Sequence, residues 1–432
     1  MFLHGEEKSR ETKFRLIANK AKENPEEVFT SLAHHLTEEY LETSFRKLRK
    51  KAAYGEDKVS YADYESNLQT NIKSLYHRLR TQQYRAPNIR RVWIDKDGSK
   101  QRPLGISTIE DKIVQRAVTD LLGLIYENDF YDFSYGFRPK RSAHQALVYL
   151  RDQCMRWKIR WIIDADIQSC FDKFNHQVLR ELLSKRINDK SIMRLINQWL
   201  KAGVVDGKSM HRNTEGTPQG NIISPLLSNI YLHYVLDQWL DKTVRPLLKG
   251  ECFIVRYADD FVIGFEYQQD AEKLMRTLPK RMNKFSLTIH PEKSKLFEFV
   301  PANKSKERTL EFLGFTHYWT KSQNGKFIIK RKTSRKGQKK SIKRLADSCR
   351  YNRHKRLKEQ YQLLCSKLRG LYQYYGVRGN FIFLAKLYRQ AFLLWFKWLN
   401  RRSQHNSYTM AGYQMLLKHF SLPKPKIIHW NV

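Results

Sequence analysis

Asp259 and Asp260 stand side by side in the run Phe253-Ile254-Val255-Arg256-Tyr257-Ala258-Asp259-Asp260-Phe261-Val262-Ile263-Gly264-Phe265, with apolar residues on both flanks. The pattern reads as strand, tight turn, strand. Like charges at such a tip repel unless a cation holds them, so the chemistry on offer is divalent-metal binding in nucleotidyl transfer. A solvated turn accounts for the pair as well, because aspartate is a common turn residue. A second acidic run, Trp161-Ile162-Ile163-Asp164-Ala165-Asp166-Ile167-Gln168-Ser169-Cys170-Phe171-Asp172, carries an apolar strand into acids and on into a helix through Phe174, Val178, Leu179 and Leu183. Ligands collect at the carboxyl ends of strands in α/β and α+β sites. Asp164 and Asp166, two residues apart, share one face of that strand.

The rest of the chain has to position these acids. Its 432 residues suffice for two or three domains with real cores, and a hydrophobic fraction of 41% with 13% aromatics argues against disorder. A formal net charge of +37 would make a compact fold repel itself without a polyanion nearby. Nucleic acid is the leading partner and an anionic membrane surface the second. No signal peptide, lipidation motif or spanning apolar run supports the membrane, so none is expected as a partner. The cysteines, Cys154, Cys170, Cys252, Cys349 and Cys365, show no paired spacing, which points to a reducing compartment, no structural zinc and a role as core filler.

Along the chain, a helical N-terminal segment with Val28, Leu32, Leu36, Tyr40 and Leu41 at helical spacing ends in a basic run near Lys51. A loop, Gly55-Glu56-Asp57-Lys58, and a helix through Leu68, Ile72, Leu75 and Leu79 follow. Ile89 to Ile106 reads as a hairpin with Asp97-Gly98 at its turn, whose basic residues could clamp phosphates or merely guard a sheet edge. After a helix over 110–126 comes Phe133-Ser134-Tyr135-Gly136-Phe137-Arg138-Pro139-Lys140-Arg141-Ser142, where aromatics interleave with cations as base stacking and phosphate contact require; a packed loop with a rigid turn is the alternative. Thr217-Pro218-Gln219-Gly220-Asn221 opens a helix through Ile230, Leu232 and Leu236. Another helix, 269–285, precedes Pro291-Glu292-Lys293-Ser294, and Phe312-Leu313-Gly314-Phe315 ends an apolar strand. From Lys321 to Gln360 there are 16 Lys and Arg against two acids, and three helical segments follow from about Arg335, with a short extended tail from Ser421. Apolar stripes with basic outer faces read as a small bundle gripping a duplex.

Taken in order, these motifs resemble the reverse transcriptases encoded by bacterial group II introns. The resemblance runs from about Leu48 to Arg402 and rests on the hairpin with Lys96 and Arg102, Gly136-Phe137-Arg138-Pro139, Asp164-Ala165-Asp166 with Phe171-Asp172, Thr217-Pro218-Gln219-Gly220, Tyr257-Ala258-Asp259-Asp260, Pro291-Glu292-Lys293-Ser294 and Phe312-Leu313-Gly314-Phe315. It implies an α+β fold of the right-hand polymerase type: an N-terminal helical extension over 1–50, fingers with the start of the palm over 51–160, a catalytic palm over 161–325 and a helical thumb over 326–432. It also implies RNA-directed DNA synthesis by two Mg2+ ions (Mn2+ a possible substitute) about 3.5–4 Å apart. Asp166, Asp259 and Asp260 are the implied catalytic carboxylates and, with Ile167, the metal ligands. Asp166 is preferred to Asp164 because Phe171, five residues on, then matches the aromatic that blocks the ribose 2′-hydroxyl.

The resemblance further implies that Lys96 and Arg102 contact the triphosphate, that Gln219 lies near the templating pair, and that Lys293 helps pyrophosphate leave. Arg138, Arg141, Lys330, Arg331, Lys332, Arg335 and Lys336 are the expected nucleic-acid contacts. Partners are an RNA template, a DNA primer, dNTPs and structured intron RNA, in a bacterial cytoplasmic ribonucleoprotein. Departures from the family pattern are Glu56 and Lys58, where Gly-Ile-Asp-Gly is common, and Asn221, where a small residue is usual; altered grip on nucleic acid is the expectation. The sequence ends after the thumb without the usual DNA-binding segment or Cys/His-bearing nuclease, so insertion by target-primed cleavage is not expected of this chain acting alone. The alternatives are a mainly RNA-binding maturase, or a free-standing reverse transcriptase serving DNA repair or phage defence.

Overall fold

The computed structural model describes residues 2–95, 101–156, 158–168, 173–206, 209–212, 215–217, 220–301, 309–405 and 407–432. Lys96, Phe171 and Gln219, three of the expected nucleotide contacts, lie outside the described residues. Helices and sheets alternate as an α+β chain.

Four helices open it: α1 (Phe2–Glu23), α2 (Glu38–Arg46), α3 (Tyr61–Ser66) and α4 (Leu68–Arg80). The single helix read through Val28 to Leu41 is broken, and only its second half is α2, started by Thr37, whose side chain accepts from the Tyr40 N–H. The hairpin β1 (Ile89–Asp95) and β2 (Gln101–Ile106) precedes α5 (Ile109–Asp129) and α6 (Ala143–Arg156). Next come β3 (Trp161–Asp166), α7 (His176–Ser184), α8 (Lys190–Lys201), the short strands β4 (Gly203–Asp206) and β5 (Ser209–Arg212), and α9 (Ser224–Leu232), which continues as a π-helical stretch over His233–Asp237. A sheet of order β2-β1-β4-β5 forms from these strands.

The central sheet adds β6 (Cys252–Tyr257), β7 (Asp260–Phe265) and β8 (Lys295–Glu298), with α10 (Gln268–Lys284) between the last two, and has the order β6-β7-β3-β8. Period-2 alternation divides its side chains between two cores. Ile163, Ala165, Phe261, Ile263 and Phe265 face a large core that also takes Leu274 and Leu278 of α10. Ile162, Val255 and Val262 face a second core with Leu147 and Leu150 of α6. Asp164, Asp166 and Asp260 fall on this second face, at the end of the sheet beyond its apolar cover.

Phe312-Leu313-Gly314-Phe315 ends a strand as expected: β9 (Leu310–Phe312) stops at Phe312 and the chain turns into β10 (Phe315–Lys321), with Leu313 at φ 49° and Gly314 at φ 77°. β10 pairs with β11 (Phe327–Thr333) in full register, so a boundary at 326 would split a hairpin; the helices begin only at Arg335. They are α11 (Arg335–Tyr351), α12 (Leu357–Tyr375), α13 (Phe381–Leu399) and a fourth, α14 (Met410–His419), beyond the three read from sequence. Their own core includes Leu345, Leu368, Leu387, Trp395 and Tyr413. The tail returns to pair Val377 with His429, and His144 of α6 stacks on His429 with centroids 3.9 Å apart. Cys154, Cys252, Cys349 and Cys365 are free and buried, as core fillers should be.

Candidate active site

The carboxylates are brought together by strand register. Asp166 of β3 lies directly opposite Asp260 of β7. The Asp166 carbonyl accepts from the His290 N–H at 2.8 Å, and the Gln168 N–H donates to Thr288 at the same distance. The backbone of Asp166 therefore faces away from β7, which makes Asp166–Asp260 a non-hydrogen-bonded pair, the kind whose Cα atoms approach to about 4.5 Å. Alternation then turns the Ile167 carbonyl toward the β7 side, where the Asp259–Asp260 turn ends. Asp164 shares the face two residues back and pairs across to Lys295 of β8.

This crowding has an electrostatic cost. Asp260 is at the rim of the face, yet the protein around it and the charges of Asp259 and Asp166 push its carboxyl up to about 7, with Lys293 opposing. Asp164 is also raised to about 7, first by burial and then by Asp260 and Asp166, with Lys295 opposing. The Lys293 ammonium sits 2.5 Å from Asp166 Oδ2. Sequence reading placed Lys293 by the leaving group; in the structure it is on a metal-ligand candidate. Among the described residues no three His, Cys, Asp or Glu side chains converge on one point as a complete ligand set. The donors are nonetheless all hard oxygens, and two carboxyls whose pKa is raised by burial and then by their neighbours' charge are groups that a divalent cation would ionise, which fits Mg2+ or Mn2+.

The turn itself is built on residues that sequence reading missed. Ala258 is left-handed, with φ 58°. Beneath it Arg256, fully buried, donates to Asp237 through Nε at 2.8 Å and Nη2 at 2.5 Å, and through Nη1 to Asn229 Oδ1 and to the Ala258 carbonyl, both at 3.1 Å. Asn229 in turn donates to the Gly136 carbonyl at 2.8 Å. Gly136 is obligatory in its place, since a Cβ there would stand 2.4 Å from the Ala258 nitrogen. The legible signal was the arginine inside an apolar strand, because a buried charge demands a partner.

Phe133, Tyr135 and Arg138 are built into this scaffold. Tyr135 N–H donates to the Arg256 carbonyl and Arg256 N–H to the Phe133 carbonyl, each at 2.9 Å, so the loop adds an edge to β6. Phe133 and Tyr135 are buried and only Phe137 is exposed. Arg138, expected on nucleic acid, is buried as well: its guanidinium is taken up by Glu127 and by the carbonyls of Tyr131 and Ser134. Arg141 is half-buried, paired with Asp132 and lying over the Tyr135 ring.

From Gly220 to Ile222 the structure shows a close fit between elements. Gly220, at φ 115°, lies against β2 so tightly that a Cβ would be 2.3 Å from the Gly105 carbonyl oxygen. Asn221 is buried and accepts from Ser107 at 2.7 Å, while Gln115 of α5 accepts from the Ile222 N–H at 2.8 Å. The departure at Asn221 thus meets the protein interior rather than a nucleic-acid path. Lys58, where the family pattern has glycine, is left-handed with φ 59°.

Arg102 is exposed on β2. Lys330, Lys332, Arg335 and Lys336 are exposed on β11 and the first turn of α11. Arg331 is not with them: the strand alternation turns it inward beside His317, and burial lowers its pKa to about 10. The helical unit meets the turn between β9 and β10 through Tyr374 of α12, whose hydroxyl donates to the Leu313 carbonyl at 2.9 Å.

The model of the family described as reverse transcriptase (RNA-dependent DNA polymerase) matches residues 94–317, just over half of the chain. The "Group II intron-encoded protein LtrA" of Lactococcus lactis subsp. cremoris is 37% identical over 233 residues, covering 54% of this chain and 38% of its own length. "Protein YkfC" of Escherichia coli (strain K12) is 35% identical over 237 residues, 48% of this chain and 62% of that protein. The "Uncharacterized 91 kDa protein in cob intron" of Schizosaccharomyces pombe is 29% identical over 319 residues, 60% of this chain and 39% of its own. The chain spans less than two thirds of the length of each of these relatives.

Proposed function

Because this chain belongs to the reverse transcriptase (RNA-dependent DNA polymerase) family, we propose that it copies RNA into cDNA at the Asp166–Asp260 face. The observation that carries the reading is the cross-strand pair of carboxylates at the uncovered end of the central sheet, with Asp259 next in the turn. Asp166, Asp259 and Asp260, with the Ile167 carbonyl, would hold the divalent metal, Mg2+ or in its place Mn2+. When bound, the metal lowers the pKa of the attacking primer 3′-hydroxyl and stabilises the leaving pyrophosphate. The protein's own contribution is placement. Two strands fix the carboxylates, Lys293 is the cation nearest Asp166, and Phe171 is assigned to the sugar gate with Lys96, Arg102 and Gln219 at the nucleotide.

We assign the regions as a right hand: an N-terminal extension to about residue 50, fingers to about 160, a palm around the central sheet, and a thumb made of α11–α14. The exposed cations Lys330, Lys332, Arg335 and Lys336 face the template–primer duplex, which is held through its backbone as A-form helices are. A second role, binding intron RNA to assist splicing, is favoured by two relatives whose names place them in introns. Purified protein with an RNA template, a DNA primer, Mg2+ and dNTPs is expected to extend the primer. The Asp259→Ala variant should lose at least about a thousandfold in rate, in line with removal of a group that acts only in the transition state. Extension by Asp259→Ala at the parental rate would sink the site assignment. Splicing assistance that survives the loss of all three aspartates would show the second role to be separable.

A further inference from the structure

Arg256 presents a physical problem that its surroundings solve in an unusual way. A guanidinium with no exposed surface sits near the end of β6, one residue before the strand runs into the metal-holding turn. Such a charge needs several well-placed acceptors, and here they come from one helix. Asn229 lies on α9, and Asp237, eight residues later, lies at the end of the π-helical stretch His233–Asp237. Eight residues overshoot two ordinary turns of 3.6 residues. The i→i+5 bonding of the π stretch widens one turn and brings the two side chains onto the same face. Both then meet the same guanidinium. Its remaining bond goes forward to the Ala258 carbonyl. Ala258 holds a left-handed backbone that only glycine adopts freely. The circuit closes through Asn229 and Gly136, whose missing Cβ admits the Ala258 backbone.

We propose that Arg256, gripped by Asp237 and Asn229, is a positioning residue that pins Ala258 in its left-handed conformation and so aims Asp259 and Asp260 at the metal. The inference rests on the reading of this face as a divalent-metal site. The π-helical stretch is then part of the site: it supplies the acceptor that keeps Arg256 in place.

The test needs neither substrate nor turnover. Mn2+ binding to the full chain is followed by loss of the free-ion EPR signal. Arg256→Lys keeps a cation against Asp237 but has no planar fork to span Asp237, Asn229 and the Ala258 carbonyl together. It should weaken Mn2+ binding about tenfold or more. Ala258→Gly added to it should restore most of the affinity, since glycine takes the left-handed conformation unaided; Ala258→Gly alone should bind as the parent does. Near-UV circular dichroism establishes that each variant is folded. If Arg256→Lys does not fold, the volume-matched apolar pair Arg256→Met with Asp237→Leu replaces it, with the same expectation. A folded variant with parental Mn2+ affinity, or a loss that Ala258→Gly leaves unrepaired, would overturn the proposal, because a residue serving only the core would lower Tm and leave the metal affinity alone. Parental protein that shows no Mn2+ binding sensitive to Asp259→Ala would instead remove the metal-site reading, and the proposal with it.

Discussion

The charge of Asp164 costs the fold stability. Its carboxyl titrates near 7 in the folded chain against about 3.9 when unfolded, because burial and two neighbouring carboxylates disfavour the charged form. The sign follows from linkage: the folded state binds the extra proton, so the penalty is absent below about pH 4, grows as pH rises, and is complete above about pH 7. Asp260 behaves in the same way. Asp164→Asn should therefore raise Tm by several degrees at pH 8 and leave it nearly unchanged at pH 4, as differential scanning fluorimetry can show. Mg2+ should likewise stabilise the parental protein more at pH 8 than at pH 5.5, since protonated carboxyls bind no cation. Equal stabilisation at both pH values would place the metal elsewhere. The spacing of Asp164 and Asp166 was legible in the sequence; their opposition to Asp260 was not, because register between strands some ninety residues apart is set by packing.

At the scale of elements, the site depends on backbones that approach without side chains between them. Gly220 lets its loop lie on β2, and Gly136 lets the 133–138 loop lie under the Ala258–Asp259 turn. Gly220→Ala adds both a clash with the Gly105 carbonyl and a strained φ, and should cost about 1–3 kcal/mol of stability, measurable by urea unfolding. A midpoint equal to the parent's would mean that the loop and β2 are free to part. Sequence reading found these glycines as motif members but gave the aromatic-basic loop a binding role. The structure uses Phe133, Tyr135 and Arg138 inside, for a reason that composition cannot reveal: whether an arginine meets phosphate or the carbonyls of its own loop depends on the fold around it. The end of β9 was legible in Phe312-Leu313-Gly314-Phe315, although Leu313 carries a left-handed turn without a glycine at its own position.

For the whole molecule, the net charge of +37 is the dominant fact about binding. Affinity for an RNA–DNA duplex should fall steeply with salt, by roughly 10³-fold or more between 50 and 200 mM if six or more phosphates are contacted. Alanine at the exposed Lys330, Lys332 and Lys336 should flatten that slope. Substitution of the buried Arg331 by Met should leave the slope unchanged and alter stability only, so fluorescence anisotropy over a salt series separates the two. A flattened slope for Arg331→Met would mean that the β10–β11 hairpin opens on binding. Among the described residues no helix is long and apolar enough to cross a membrane.

The sequence by itself pointed to a class of chemistry and a class of partner. Adjacent acids between apolar strands, an ordered set of motifs and an overwhelming cationic excess depend on residue type and spacing alone. Only the tertiary structure decided which cations remain available and what holds the Asp259–Asp260 turn. Burial, strand register and a widened helical turn withdrew Arg138 and Arg331 into the interior and made Arg256 with Asp237 the support of Ala258. Those outcomes depend on which residues meet across long stretches of chain, and no local pattern encodes that meeting.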